Sequence, residues 1–436
     1  MADVTLLCAA DLHLGRRPVG LREAGAERLS ASGAWSALVD RARGEAVDAV
    51  LLAGDIVDRF NRSFEAYGPL QRGVRALAAA GIPVVAVAGN HDHDTLHDVA
   101  AEVGEGNLLV LGRGGEWERW TLESGGVPVL HVDGWSFPEG HWPDDPTAGY
   151  DPAALGETRG APLIGLVHGD LDQPGSPYGP LSGARLRSLA PAAWVLGHVH
   201  VPRLDESPGL APILYPGSLQ ALDPGETGAR GAWIVELGSG RRPTFRRVRL
   251  SSVRYDRVDV SVEGVEDAPG LHAAVRRALQ RHLDELAEES GPLRVVHCRV
   301  RLTGRTSLHG RIERALEGLG DLQPANEAGL RLVVDPRPIV DTRPALDLES
   351  LARGSDAPAL LAKLLLELDG PGPSGLPEGL AELAAHAAVE AAGRSHYLTA
   401  GLEPLDLSVG SSRLHEGVRR QAARLLDVLT SQKEGA

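Results

Sequence analysis

The chain has 436 residues, room for two or three domains, and its 43% hydrophobic and 24% charged content excludes disorder as a description of the whole. Lys and Arg number 44 against 59 Asp and Glu, a net charge of −15, so long-range attraction of polyanions is excluded and any nucleic-acid contact must be local or helped by metal ions and partners. Two cysteines, Cys8 and Cys298, exclude a disulfide framework and a thiolate zinc site. No apolar run reaches the ~18 residues of a membrane span, and the start lacks a basic-then-apolar leader, so a cytoplasmic protein is expected.

In chain order, residues 1–250 read as short apolar runs separated by polar loops and amphipathic stretches. The runs are Thr5–Ala10, Ala49–Ala53, Pro83–Ala88, Leu163–Val167 and Trp194–Leu196. Each is too short for a helix and lacks polar alternation, which is the pattern of central strands covered on both faces. Leu21–Gly44 and Phe64–Ala80 carry apolar residues at helical spacing, and the alternation predicts an α/β sheet protein. Segment 251–345 reads as a small α+β domain: strands at Val253–Val262, Leu293–Leu302 and Leu330–Val334, helices at His272–Glu289 and Ser307–Leu319. Segment 346–436 reads as helices at Ala357–Leu368, Leu376–Ala392 and Arg413–Leu429, broken by a Gly/Pro linker at 370–373.

Each of the five apolar runs stops at a metal-capable side chain. Asp11-Leu12-His13 follows the first, Gly54-Asp55-Ile56-Val57-Asp58 the second and Gly89-Asn90-His91-Asp92 the third. His168 follows the fourth and Gly197-His198-Val199-His200 the fifth. In an open α/β sheet ligands gather beyond the carboxyl ends of strands, so these residues are expected in one crevice. Carboxylate, amide and imidazole donors without thiolates suit manganese, iron or zinc. The set is too large for one tetrahedral ion and suits two, about 3.5–4 Å apart, that clamp a phosphate and activate a water.

In order and spacing these motifs resemble the calcineurin-like metallophosphoesterase superfamily. The wording around Ala10–Gly15, Trp194–His200 and Tyr215–Gln220 is similar to its SbcD and YhaO branch of DNA repair exonucleases, over residues 4–237. The resemblance implies a β-sandwich flanked by helices in residues 1–250, a small α+β capping domain in 251–345, and a helical region in 346–436 that binds an SMC-like ATPase. It implies two divalent ions, manganese above all. Asp11, His13 and His200 would hold one ion, Asn90, His168 and His198 the other, and Asp55 would bridge them. His91 would act as the catalytic histidine, stabilising the transition state or protonating the leaving oxygen, with Asp58 placed to orient it and keep it protonated. DNA as substrate and a homodimer follow from the same resemblance. A phosphatase or small-molecule phosphodiesterase, and a metal-bound scaffold without activity, are the rival readings.

Other residues leave alternatives open. Asp92 and Asp94 either orient neighbours or cap a helix near Thr95, and His93 and His97 read as surface histidines. His131 and Asp133 fit second-layer hydrogen bonding or plain packing equally. The aromatic loop Trp135–Trp142 offers stacking on unpaired bases or loop packing. Arg241–Arg249, with Arg246 and Arg247 at its centre, is the densest basic run and is either a solvated strand face or a phosphate track. Ser218, in a tight turn, is a candidate phosphate donor. Val418, Leu425, Leu426 and Leu429 form a stripe that is core or an ATPase-docking face.

Overall fold

The computed structural model describes residues 3–21, 28–58, 65–103, 106–238, 242–289, 291–319, 329–369 and 412–434. The predicted helix 376–392 and the linker before it lie outside them, as does Arg241. The first half of the chain runs β1 (Val4–Ala9), α1 (Ala31–Gly44), β2 (Ala49–Ala53), α2 (Tyr67–Ala78), β3 (Val84–Val87), α3 (Leu96–Val103), β4 (Leu108–Val110), β5 (Glu118–Ser124) and β6 (Val127–Trp135). It continues through β7 (Leu163–His168), α4 (Gly183–Ser188), β8 (Ala193–Gly197), β9 (Arg203–Asp205), β10 (Ile213–Tyr215), β11 (Gly231–Leu237) and β12 (Thr244–Arg249). The rest comprises β13 (Val253–Ser261), α5 (Ala268–Ala287), β14 (Val295–Thr306), α6 (Ile312–Ala315), β15 (Arg331–Val334), β16 (Ile339–Pro344), α7 (Leu348–Leu351), α8 (Ala357–Asp369) and α9 (Ser412–Glu434).

The five apolar runs are strands, as expected, but they do not share one sheet. β1, β2 and β3 lie together in a six-stranded sheet of order β12-β11-β1-β2-β3-β4. β7 and β8 lie in a second, of order β5-β6-β7-β8-β10-β9. Single-sequence patterns could not separate the two cases, because a central strand of a sandwich and one of a doubly wound sheet are both covered on two faces. Side chains alternate along each strand. On β1, Leu6 and Cys8 pack between the sheets with Leu51, Val85, Leu130, Ile164, Leu166 and Val195, while Leu7 and Ala9 face outward onto Trp35 and Leu38 of α1 and Leu70, Val74 and Leu77 of α2. The outer face of the second sheet is sealed by Trp135, Phe137, Tyr150, Trp194 and Leu186. β1–β2–β3–β4 are parallel within the first sheet and β6–β7–β8–β10 within the second, so each sheet gathers its carboxyl ends on one edge.

The described chain forms two compact units. One holds Met1–Val262, Asp267–Gly304 and Arg311–Asp341, so most of segment 251–345 packs with the sandwich. Tyr255 explains part of this: its hydroxyl donates to the Val19 carbonyl at 2.6 Å, and its own carbonyl accepts from Gly228 N–H at 2.9 Å. Here β13, β14 and β15 are parallel neighbours, and β16 pairs with β14. The helix expected over Ser307–Leu319 is reduced to a short 3-10 turn at His309–Arg311 and the single turn α6. The other unit holds Glu263–Glu266, Arg305–Gly310 and Thr342–Ala436. There Leu426 and Ala422 of α9 pack on Ala362 and Leu365 of α8, so part of the predicted stripe is core, while Leu425 points to solvent.

Gly165 on β7 has no room for a side chain: an added Cβ would sit 2.2 Å from the buried ring of Trp194 on β8. Gly165→Ala should therefore overpack the second sheet and cost about 1–3 kcal/mol, lowering the melting temperature by several degrees; an unchanged melting curve would show that the strand spacing is not set by this contact.

Candidate metal centre

The loops leaving β1 and β2 stay zipped together beyond the strands. Asp11 N–H donates to Gly54 O at 3.1 Å, His13 N–H to Asp55 O at 3.0 Å and Leu14 N–H to Ile56 O at 2.9 Å. To aim their side chains into one cavity, Asp11, His13 and Asp55 take left-handed backbone conformations (φ 49°, 45° and 50°), and His198 sits at φ 95°. Such conformations cost a non-glycine residue about 1–2 kcal/mol each, and here they coincide with predicted ligands, as strain stored at functional sites does.

The centre of the cavity is Asp55, almost fully buried. Its Oδ2 lies 3.9 Å from His13 Nε2 and 3.5 Å from His168 Nε2, and its Oδ1 accepts the His91 backbone N–H at 2.9 Å. Burial alone would raise its pKa; the imidazoles of His168, His13 and His91 outweigh that and hold the carboxyl below its usual range. On one side, His13 Nε2 and His200 Nε2 converge to 3.2 Å beside Asp11. On the other, His168 Nε2 meets Asn90 Oδ1 at 3.2 Å, and its Nδ1 bonds to Ala53 O at 2.9 Å, which fixes the ring. The rings of His168 and His198 are 5.3 Å apart, and His198 N–H donates to Asp11 Oδ1 at 3.0 Å. Asp11, His13, Asp55, His168 and His200 thus bring donor atoms together, with Asn90 on His168, while the His198 ring stands beside His168 with its Nε2 toward Asp170 and joins no candidate cluster among the described residues. Two glycines allow this convergence: a Cβ on Gly89 would fall 2.2 Å from Asp55 Oδ1, and one on Gly197 would fall 1.8 Å from Ala53 O and 2.6 Å from His168 Nδ1.

The donor set fits divalent ions. Asp11, His13 and His200 offer atoms within 4.8 Å of one another, as do Asp11, Asp55 and His168, and His13, Asp55 and His91. Asp11 Oδ2 and Nδ1 of His13 and His91 are buried with no hydrogen-bond partner among the described residues. A buried carboxylate oxygen without a donor is the atom a cation would satisfy. Both cysteines are buried, with thiols pushed up by burial, and belong to no candidate cluster among the described residues.

Asp58 Oδ2 is 3.5 Å from His13 Nδ1 and 3.7 Å from Arg16 Nε, and His91 Nδ1 has no hydrogen bond, so no Asp58–His91 pair is made through that nitrogen. Nor is the His91 imidazolium favoured: burial, together with the nearby His13 and His168, lowers its pKa despite the charges of Asp55 and Asp58.

Asp92 orients its neighbours. Fully buried, it accepts N–H bonds from Gly89 at 2.7 Å, Ile56 at 2.6 Å and Val57 at 3.2 Å, tying the second and third motif loops together. Burial and the charge of Asp55 push its pKa up to about 7 despite those bonds. His131 and Asp133 prove to be structural: His131 bonds to Thr121 and to Thr158 O, and Asp133 is gripped by Arg119 and Tyr150. Trp135 and Phe137 are buried, so that loop packs. Arg246 and Arg247 are exposed on the edge strand β12, where Arg246 pairs with Glu45 and Arg247 donates to Ala229 O. Ser218 is fully buried, its N–H given to His200 O at 3.0 Å and its hydroxyl to Glu226 at 3.3 Å, so it supports His200 and presents no donor to a phosphate.

Two residues escaped the sequence reading. Glu226 bonds to His200 Nδ1 at 2.5 Å, and nothing in its Asp-Pro-Gly-Glu turn signals that contact across 26 positions. Asp170 Oδ2 lies 3.5 Å from His198 Nε2; its place two residues after His168 was an available signal.

A sandwich of two mixed sheets, with five motifs delivering oxygen and nitrogen donors to a cavity at the parallel strand ends, defines a metal-dependent phosphoesterase architecture. Two family matches and two sequence relatives agree. Residues 4–202 match the calcineurin-like phosphoesterase family, and residues 255–331 match the middle domain of metallophosphoesterase YhaO. The chain is 30% identical over 292 residues to the DNA double-strand break repair protein Mre11 of Aeropyrum pernix, covering 64% of this chain and 68% of that protein. It is 28% identical over 300 residues to the uncharacterized metallophosphoesterase YhaO of Bacillus subtilis, covering 63% and 67%. A solved structure, TT1561 of Thermus thermophilus, aligns over 57% of this chain and 100% of its own with 18% identity and a TM-score of 0.35. The chain belongs to the calcineurin-like metallophosphoesterases, with a YhaO-type middle domain. Among the described residues no helix is long and apolar enough to cross a membrane.

Because the Asp55 carboxylate lies within reach of donors on both sides, His13 and His168, Asp55→Asn should remove more bound metal than replacement of any other single ligand. Elemental analysis after gel filtration measures this, and equal metal content in wild type and variant would overturn the bridging position.

Proposed function

We propose that this protein is a two-metal-dependent phosphodiesterase acting on DNA, a nuclease of the DNA-repair kind. The observation that carries the reading is the convergence of two groups of nitrogen and oxygen donors on the single buried carboxylate of Asp55. The similarity to a protein named for DNA double-strand break repair supports DNA as the substrate class. In this reading Asp11, His13 and His200 hold one ion, Asn90, His168 and His198 the other, and Asp55 bridges. When bound, such ions, manganese by the character of the donors, would activate a water and neutralise phosphate charge.

The remaining steps belong to the protein's own groups. His91 is half-buried, its backbone N–H held by Asp55 and its Nδ1 buried without a hydrogen-bond partner among the described residues, so the other ring nitrogen is the one a substrate oxygen would meet. A phosphodiester brought against that ring adds negative charge and favours the imidazolium that burial otherwise disfavours. The proton then stands beside the leaving oxygen. An SMC-like ATPase and a second copy of the chain are the partners that the family resemblance suggests. With a net charge of −15 and Arg246 engaged by Glu45, the isolated chain should bind DNA weakly and with a shallow salt dependence.

Hydrolysis of linear DNA and of bis(p-nitrophenyl) phosphate, with manganese and after chelation, tests the reading. Manganese-dependent cleavage of both is expected, and His91→Ala should lower both at least ~10²-fold while keeping near-normal metal content. Hydrolysis of the small ester and of nucleotides with DNA untouched would replace DNA as the substrate, and loss of a metal ion in His91→Ala would make His91 a ligand.

A further inference from the structure

Glu226 lies outside every motif, yet His200 is built upon it. Its carboxylate is nine-tenths buried, and both oxygens are engaged. Oε1 meets His200 Nδ1 at 2.5 Å; Oε2 accepts the Leu222 N–H at 2.8 Å and the Ser218 hydroxyl at 3.3 Å. The opposite nitrogen of the ring, Nε2, is the one that faces His13 Nε2 at 3.2 Å inside the cavity. A carboxylate can only accept, so the proton between the two groups resides on Nδ1, and Nε2 is the nitrogen that the neutral ring offers to a metal ion.

The turn that carries Glu226 is itself held from outside the metallophosphoesterase segment. Glu226 N–H donates to Asp223 O at 2.8 Å, and two residues on, Gly228 N–H is shared between Tyr255 O at 2.9 Å and Asp256 Oδ1 at 3.2 Å. Asp256 is fixed in turn by Arg254 Nε at 2.6 Å and by His282 Nε2 of α5 at 2.8 Å. Ser218, which bonds to Glu226, also donates its N–H to the carbonyl of His200, so the ring and the backbone of His200 are braced by the same cluster.

We propose that Glu226 is the positioning residue of the metal centre: braced by β13 and α5, it fixes the ring and tautomer of His200 so that Nε2 serves as a metal ligand. This rests on the two-metal reading above. It also gives the YhaO-type middle domain a role in the chemistry, as the outer support of a ligand and not merely a cap over the substrate.

Glu226→Gln provides the test. The amide has one acceptor where the carboxylate had two. If it stays on Leu222 N–H, an NH2 group faces His200 Nδ1 and forces the ring proton onto Nε2, toward the metal. Titration of metal-free full-length protein with manganese, followed calorimetrically, should show wild type filling two sites and Glu226→Gln filling one of them ~10–100-fold more weakly, the usual cost of losing such a support. Affinities within twofold of wild type at both sites would overturn the proposal. Should the variant not fold, wild type alone decides: in zinc-loaded, 15N-histidine-labelled protein, His200 must show a protonated Nδ1 and a metal-bound Nε2, and the reverse assignment refutes the role. A wild type that binds no divalent ion would instead remove the two-metal reading itself.

Discussion

The interaction on which the site depends is the burial of one carboxylate, Asp55, among the rings of His13, His91 and His168. A lone buried carboxylate is costly, and here the neighbouring imidazoles offset that cost. Around it stand Asp11 Oδ2 with no donor, two imidazole nitrogens in near contact, and four backbones in the left-handed region. Each is a local defect if the cavity is judged as packing. Together they are what a protein accepts when cations are to complete the structure, because a cation satisfies the carboxylate oxygens and the converging lone pairs at once.

The two-sheet architecture explains how such a cavity is built without flexible arms. Asp11, His13, Asp55 and Asn90 come from the first sheet and His168, His198 and His200 from the second. The interior between the sheets, from Leu6 and Cys8 to Leu166 and Val195, therefore sets the distance between the ligands of the first sheet and those of the second. The close approaches at Gly89 and Gly197 let the two groups meet, and Asp92 locks the second and third loops to each other through three backbone N–H groups. Packing quality in the sandwich thus becomes metal geometry at its edge.

Most of this was legible in the sequence for a physical reason: ligands at strand ends follow an apolar run directly, so local pattern and function coincide. Ala49–Ala53 followed by Asp55 is the clearest case, predicted and observed with the same bounds. What stayed hidden depended on contacts distant along the chain. The assignment of strands to two sheets is one example, since Leu163–Val167 reads alike in either. Glu226 is another, since a single Glu in a polar turn carries no pattern. Asp58 shows a third limit: only the family resemblance linked it to His91, and its approach to His13 and Arg16 carried no sequence signal. The basic run around Arg246 was the densest in the sequence, but its neighbour Glu45, 201 residues away, was invisible there.

The central claim is that both sheets contribute to one binuclear centre bridged by Asp55. A crystal structure of the manganese-loaded protein, with anomalous data collected above the manganese edge, tests it most directly. The account predicts two anomalous peaks about 3.5–4 Å apart, one beside Asp11, His13 and His200, the other beside Asn90, His168 and His198, with Asp55 touching both. A single peak, or a pair that Asp55 does not bridge, would contradict it.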